Sequence, residues 1–132
     1  TSFLRFLEVA EKLEKNVVVV TDNDSDINAL NEKYKNYLGA NKKLSIKICF
    51  DNVIDSGNLK IGTKEFNYNT LEPKILKENG LDKMNTVLGK SFADIDELHI
   101  HMKSNKTECA LKIFDSSENI KFPEYILDAI KE

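Results

Sequence analysis

The segment from Asn16 to Asp26 reads NVVVVTDNDSD. Val17 to Val20 is an unbroken β-branched run, the pattern of a strand buried on both faces in a parallel sheet covered by helices. It empties into acids at alternate positions, Asp22, Asp24 and Asp26. Those acids stand at the carboxyl end of the strand, the edge where open α/β sheets place their ligand crevice. On a turn, an Asp-x-Asp pair can converge on one hard divalent cation; on a regular strand the same spacing only shares a face. The plainer account is that Asp and Asn are turn formers and that Ser25 or Asp26 caps the next helix. A calcium loop of the EF-hand kind fits poorly, because the glycine and the closing glutamate it needs are absent.

Outward from this segment, 132 residues suffice for one domain with a real core, expected over 1–132. With 41% hydrophobic and 31% charged residues, the composition is that of a globular protein without a membrane span. A net charge of −3 gives no global basic field, so any nucleic-acid contact needs local lysines or metal. Cys49 and Cys109 have no zinc-ligand spacing; a disulfide stays open, and reduced thiols in a cytoplasmic protein are the simpler expectation.

Ser2 to Lys15 carries Phe3, Leu4, Phe6, Leu7, Ala10 and Leu13 at helical steps and predicts an amphipathic helix. The chain begins at Thr1 inside that pattern, so the strand of a preceding strand–helix unit is expected to be missing, as in a fragment of something longer. Asp26 to Leu38 predicts a second helix closed by Gly39, and Leu44 to Phe50 alternates as a second strand. Asp51 to Asn69 reads as a long loop with a short strand near Lys64 to Tyr68. Thr70-Leu71-Glu72-Pro73 opens a helix stopped at Gly80, which holds Glu72 at a helix N-terminus, where the dipole favours a carboxylate. A short helix over Asp82 to Leu88 follows. His99 and His101, two apart, do not share a helix face and are expected exposed or half-buried. Lys103 and Lys106 stand in a polar turn before Cys109, Ala110, Ile113 and Phe114, and Pro123 to Ile130 is a last helix.

Taken together, VVVVTDNDSD, NTLEP, SNKTECALKI and FPEYILDAI resemble, in order and over nearly the whole chain, the Toprim domain of OLD-family (overcoming lysogenization defect) nucleases, Gabija-type anti-phage proteins included. The resemblance implies an α/β fold: a Toprim-like small parallel sheet flanked by helices on both faces, here lacking its first strand. It implies a metal-dependent DNA endonuclease, cytoplasmic and homo-oligomeric, joined to an N-terminal ABC-type ATPase in the parent chain. ATP would belong only to that ATPase, and no P-loop is present in this sequence. Position by position, Asp22 and Asp24 match the DxD ligands of Mg²⁺ or Mn²⁺, and Glu72, counted with them among the metal ligands, matches the acid of the TLE motif. Lys106 matches the lysine expected near the scissile phosphate, while Asp26 is a further ligand or orienter. Two metals about 4 Å apart would clamp the attacking and leaving oxygens of a phosphodiester displacement, with lysine neutralising developing charge. Toprim sites also draw a glutamate from the first strand, and Glu8 and Glu11 are poor substitutes, so the fragment itself is expected to bind metal weakly and cut poorly. Two other readings are a magnesium-binding receiver-like module, which needs a lysine at the end of a late strand, and a non-catalytic α/β interaction domain.

Overall fold

The computed structural model describes residues 2–131, and the chain divides into two compact units: one formed by the residues through Ile54 with those from Glu124 onward, the other by Asp55–Pro123. The fold is mixed α/β with seven helices, a two-stranded parallel sheet and an antiparallel pair among the described residues.

In the first unit α1 (Ser2–Lys12) leads into β1 (Val17–Val20), α2 (Ile27–Lys33), two short 3-10 turns, β2 (Ile46–Cys49) and, after the second unit, α7 (Glu124–Ile130). β1 and β2 run parallel with Val17 opposite Ile46 and Val19 opposite Ile48. Side chains alternate across a strand, so Val17, Val19, Ile46 and Ile48 share one face. That face packs with Leu7 and Ala10 of α1 and with Leu30, Tyr34 and Tyr37 from α2 and the turn after it. Leu7 and Ile46 are fully buried, each worth about 1.5–3 kcal/mol relative to exposure. Lys47 points to the opposite face and donates to the carbonyl of Asp128 in α7, so helices lie on both faces of the pair. The valine run is nevertheless buried on one face only: Val18 and Val20 stay 47% and 44% exposed. On that opposite face Cys49 of β2 is only 6% exposed, so the face is covered unevenly. The second helix is also shorter than its periodicity predicts. Tyr34 leaves helical geometry, and the inner stripe continues through a 3-10 turn that buries Tyr37.

The second unit opens with a hairpin, β3 (Asn58–Ile61) against β4 (Lys64–Asn67), in what the sequence presents largely as loop. Gly62, at φ 59°, takes the first of the two turn positions, where only glycine enters that region without strain. Four helices follow: α3 (Leu71–Asn79), α4 (Leu81–Leu88), α5 (Ile95–Ser104) and α6 (Lys106–Asp115). Their core is Ile75, Leu76, Met84, Leu88, Leu98, Met102 and Cys109. Gly80 and Gly89 terminate α3 and α4 as expected, Gly89 in the left-handed conformation that lets its N–H reach back to Asn85 and Thr86. His99 departs from expectation. It is 2% exposed, held between the rings of Phe66 and Tyr68, because the α5 stripe turns it inward beside Leu98 and Met102. His101 is half-buried as expected. Both cysteines are free thiols, and no described helix is long and apolar enough to cross a membrane.

Candidate functional site

Past Val20 the β1–β2 ladder continues for one further bond, Thr21 N to the Cys49 carbonyl at 3.1 Å, and the chain then turns sharply. Asp26 N donates to the Asn23 carbonyl at 2.8 Å, and the two residues between, Asp24 and Ser25, have φ of 48° and 69°. This is a type I′ turn made without glycine, in a conformation that costs on the order of 1 kcal/mol per residue. Asn23 holds it. Its side chain is 2% exposed; the amide donates to the carbonyls of Asp51 and Val53 at 2.8 and 2.9 Å, and its Oδ1 accepts from Ser25 N at 2.9 Å. The loops after β1 and β2 are thereby tied together, and Asp22 and Asp24 are carried at the carboxyl ends of the strands.

Asp22, Asp24 and Asp26 line one cleft of about 200 Å³ with Lys33. Asp22 is half-buried and its Oδ1 accepts from the Tyr125 hydroxyl of α7 at 3.4 Å; Asp24 is exposed. Asp26 is the N-cap of α2, its Oδ1 accepting from Ala29 N at 2.9 Å, which is the capping role open to it from sequence. Among the described residues no three His, Cys, Asp or Glu side chains form a group able to hold a metal ion. An all-oxygen pair such as Asp22 and Asp24 suits a hard cation like magnesium, which takes one or two carboxylates and keeps the rest of its shell as water or phosphate.

Glu72 and Lys106 belong to the second unit and meet there. Glu72 is the second residue of α3, with its side chain 16% exposed. Lys106 Nζ, on the first residue of α6, is 3.4 Å from Glu72 Oε1, and Lys103 Nζ from α5 is 3.6 Å from Oε2. Burial pushes the Glu72 carboxyl up, but its own backbone N–H at the helix start and the two ammonium groups outweigh that, and it titrates below the usual glutamate range. Lys103 also donates to Thr70 Oγ1 at 2.9 Å. It is 17% exposed against 61% for Lys106, so Lys103 fixes the carboxylate while Lys106 keeps its ammonium available to solvent. In the sequence Lys103 stands only in a polar turn, and its spacing of three from Lys106 is the one local sign of this role.

Two more residues organise this unit without announcing themselves in sequence. Asp55 accepts from Lys74 at 2.7 Å and Lys77 at 2.6 Å, and Lys74 is only 5% exposed. Burial raises the Asp55 carboxyl, and the two lysines override it and hold it below its ordinary value. Asn69, 1% exposed, brackets the same residue, accepting from Asp55 N and donating to its carbonyl, both at 2.8 Å. No protein-family model, curated protein or solved structure matches this chain.

Proposed function

We propose that this chain is the nuclease domain of an OLD-family ATPase-nuclease, of Toprim type, acting on DNA phosphodiesters with magnesium or manganese. The observation that carries the reading is the Asp22–Asp24 pair on a strained, Asn23-anchored turn at the carboxyl end of a parallel strand. Residues held in costly backbone conformations by surrounding structure cluster at functional sites. A divalent cation held there supplies Lewis-acid stabilisation of charge on a phosphoryl group. Asp22 and Asp24 contribute the oxygen donors. Glu72 stays ionised at neutral pH, and Lys106 provides a mobile cation for a phosphate oxygen, beside a Lys103 already committed to Glu72 and Thr70.

The test is a plasmid-nicking time course with manganese, run on this chain and on a version extended upstream by the glutamate-bearing strand of Toprim domains. The reading expects trace nicking in the first and metal-dependent nicking in the second, lost in Asp22→Ala and, separately, in Glu72→Gln. Nicking equal in the Asp22→Ala form would sink it.

A second reading is favoured by the Asp26 cap and by the absence of a three-acid group among the described residues: a non-catalytic α/β interaction domain whose acids shape turns. It expects magnesium affinity unchanged by alanine at Asp22 and Asp24. The receiver-like reading gains nothing, because Lys106 begins a helix and does not end a strand.

A further inference from the structure

In a parallel pair each strand turns alternate residues toward its neighbour. Val17 N donates to the Ser45 carbonyl at 2.7 Å and Thr21 N to that of Cys49 at 3.1 Å. With Val17 opposite Ile46 and Val19 opposite Ile48, the residues of β1 that face β2 are thus Val17, Val19 and Thr21. Val18 and Val20 direct their N–H and C=O groups to the other side of the strand. β1 has no second neighbour there: its sheet is β1 and β2 only, and no described residue hydrogen-bonds the backbone of Val18 or Val20. Both are close to half exposed, at 47% and 44%, so water reaches this edge. On the outer side of β2 the corresponding residue Ile46 is 1% exposed, so packing closes that edge at its start.

An open row of unpaired backbone groups is a template for another strand, and proteins guard such rows with lysine, proline or a bulge. The hairpin of the second unit carries Lys60, Lys64 and Glu65 on its two strands. β1 carries no such guard: its four residues are all valine, and shortness is its only protection. The backbone selects an extended chain as the partner, and the register selects which one. Set antiparallel to a second copy of itself about a two-fold axis at Val19, β1 places Val18 opposite Val20 of the second copy, and Val20 opposite its Val18. Those are the outward residues of both copies, so every unpaired N–H and C=O of the row is satisfied at once. Val19, whose own groups are taken by β2, falls at the close, non-hydrogen-bonded position. The side chains agree with this register. Val18 and Val20 share a face and meet across the joint as β-branched pairs, a favourable cross-strand contact. At each end the exposed Asn16 comes level with Asp22 of the second copy, and Lys15 with its Asn23, bringing a neutral donor and a cation to the acidic turn. The chain enters this line only after Glu14, whose φ of 55° ends the run of α1.

We propose that β1 is a self-association edge, at which two copies of this chain join antiparallel with Val18 opposite Val20 in a continuous sheet of order β2-β1-β1-β2. The two-fold uses each open edge once, so assembly stops at the dimer. So short a joint belongs with weak, transient interfaces and sets the dissociation constant on the order of 100 µM. The proposal uses only the strand and its flanks, and stands whether or not the aspartates hold a metal.

The experiment follows translational diffusion and amide exchange by NMR on the ¹⁵N-labelled chain from about 20 µM to about 2 mM. A shift from monomer to dimer is expected over that range. The amides of Val18 and Val20 are expected to exchange about fivefold more slowly at the top of it, while those of Val17 and Val19, bonded to β2 throughout, stay unchanged. In a mixture of labelled and unlabelled chains, Val19 Hα of one copy is expected to contact Val19 Hα of the other. Val18→Pro removes an outward N–H that the ladder with β2 does not use, at an edge position where proline is tolerated. It deletes half of the joining bonds and is expected to weaken the dimer at least about tenfold. A chain that stays monomeric overturns the proposal, as does a dimer in which Val18 and Val20 exchange as in the monomer. Growth past the dimer, or a Val18→Pro form that dimerises like wild type, overturns it equally. The alternation along wild-type β1 decides the matter even if the variant does not fold.

Discussion

In the first unit the polar side chain most deeply involved in long-range bonding is Asn23, neutral, tying three backbone groups of two loops. The second unit has an amide clamp of its own, Asn69 at 1% exposed on the backbone of Asp55, but adds to it a buried cation, Lys74, 5% exposed against the Asp55 carboxylate, in a cluster with Lys77 and close in character to the Glu72, Lys103 and Lys106 group. Amide-to-carbonyl bonds do not respond to protons, whereas carboxylate–ammonium pairs do. The difference teaches that the turn bearing Asp22 and Asp24 is fixed chiefly by the neutral bonds of Asn23, with the Asp22 carboxylate accepting from Tyr125 beside them. The second unit instead uses acids both to hold itself together and to present a lysine.

The largest effect expected from breaking this contrast is in the second unit. Asp55→Ala removes an ion partner of the buried Lys74 and should cost about 3 kcal/mol in urea unfolding. Asn23→Ala in the first unit should cost about 2–3 kcal/mol by the same measurement, since the groups it bonds lose their partner inside the protein. Losses of less than about 1 kcal/mol in both would erase the comparison.

A pH series sharpens it. His99 titrates below its ordinary value in the folded state, mainly through burial, so the unfolded chain binds the extra proton and stability falls as pH drops below about 6.5. Asp55 and Glu72 also sit low, so they add a second loss as pH falls through about 4.5 and below. In the first unit, burial pushes Cys49 and Tyr37 up, which places their loss on the alkaline side, above about 8.5. Amide exchange measured from pH 7 down to 4 should therefore show the second unit opening first. His99→Phe should remove the step near pH 6.5 and stabilise the protein by about 1–2 kcal/mol, because two buried nitrogens without bonds become an apolar edge.

What sequence yielded and what it withheld follow the range of the interactions. β1, α3 and α4 are legible because a β-branched run and glycines at chain reversals are local signals. β3 is hidden because only Leu59 of its four residues is buried, so there is no alternation to read. Asn23 looks like any turn former among aspartates; its partners Asp51 and Val53 are 28 and 30 residues away. The burial of His99 depends on Phe66 and Tyr68 from a hairpin that the sequence does not declare. Nothing local in the sequence pairs Glu72 with Lys106 or gives Lys103 its role; both emerge from the geometry of α3, α5 and α6.

The smallest effect concerns the turn itself. Asp24 has φ 48°, so Asp24→Ala should be less stable than Asp24→Gly by about 1 kcal/mol, although both lose the carboxylate. Equal stability would mean the turn relaxes and holds no strain.

The most direct test of the account is manganese titration followed by amide NMR on wild type and Asp22→Ala. Paramagnetic broadening centred on Asp22 to Ser25 at millimolar manganese, and absent from the variant, is the result the account predicts. Broadening that is scattered over surface acids, or identical in the two proteins, would contradict it and leave the aspartates as turn formers.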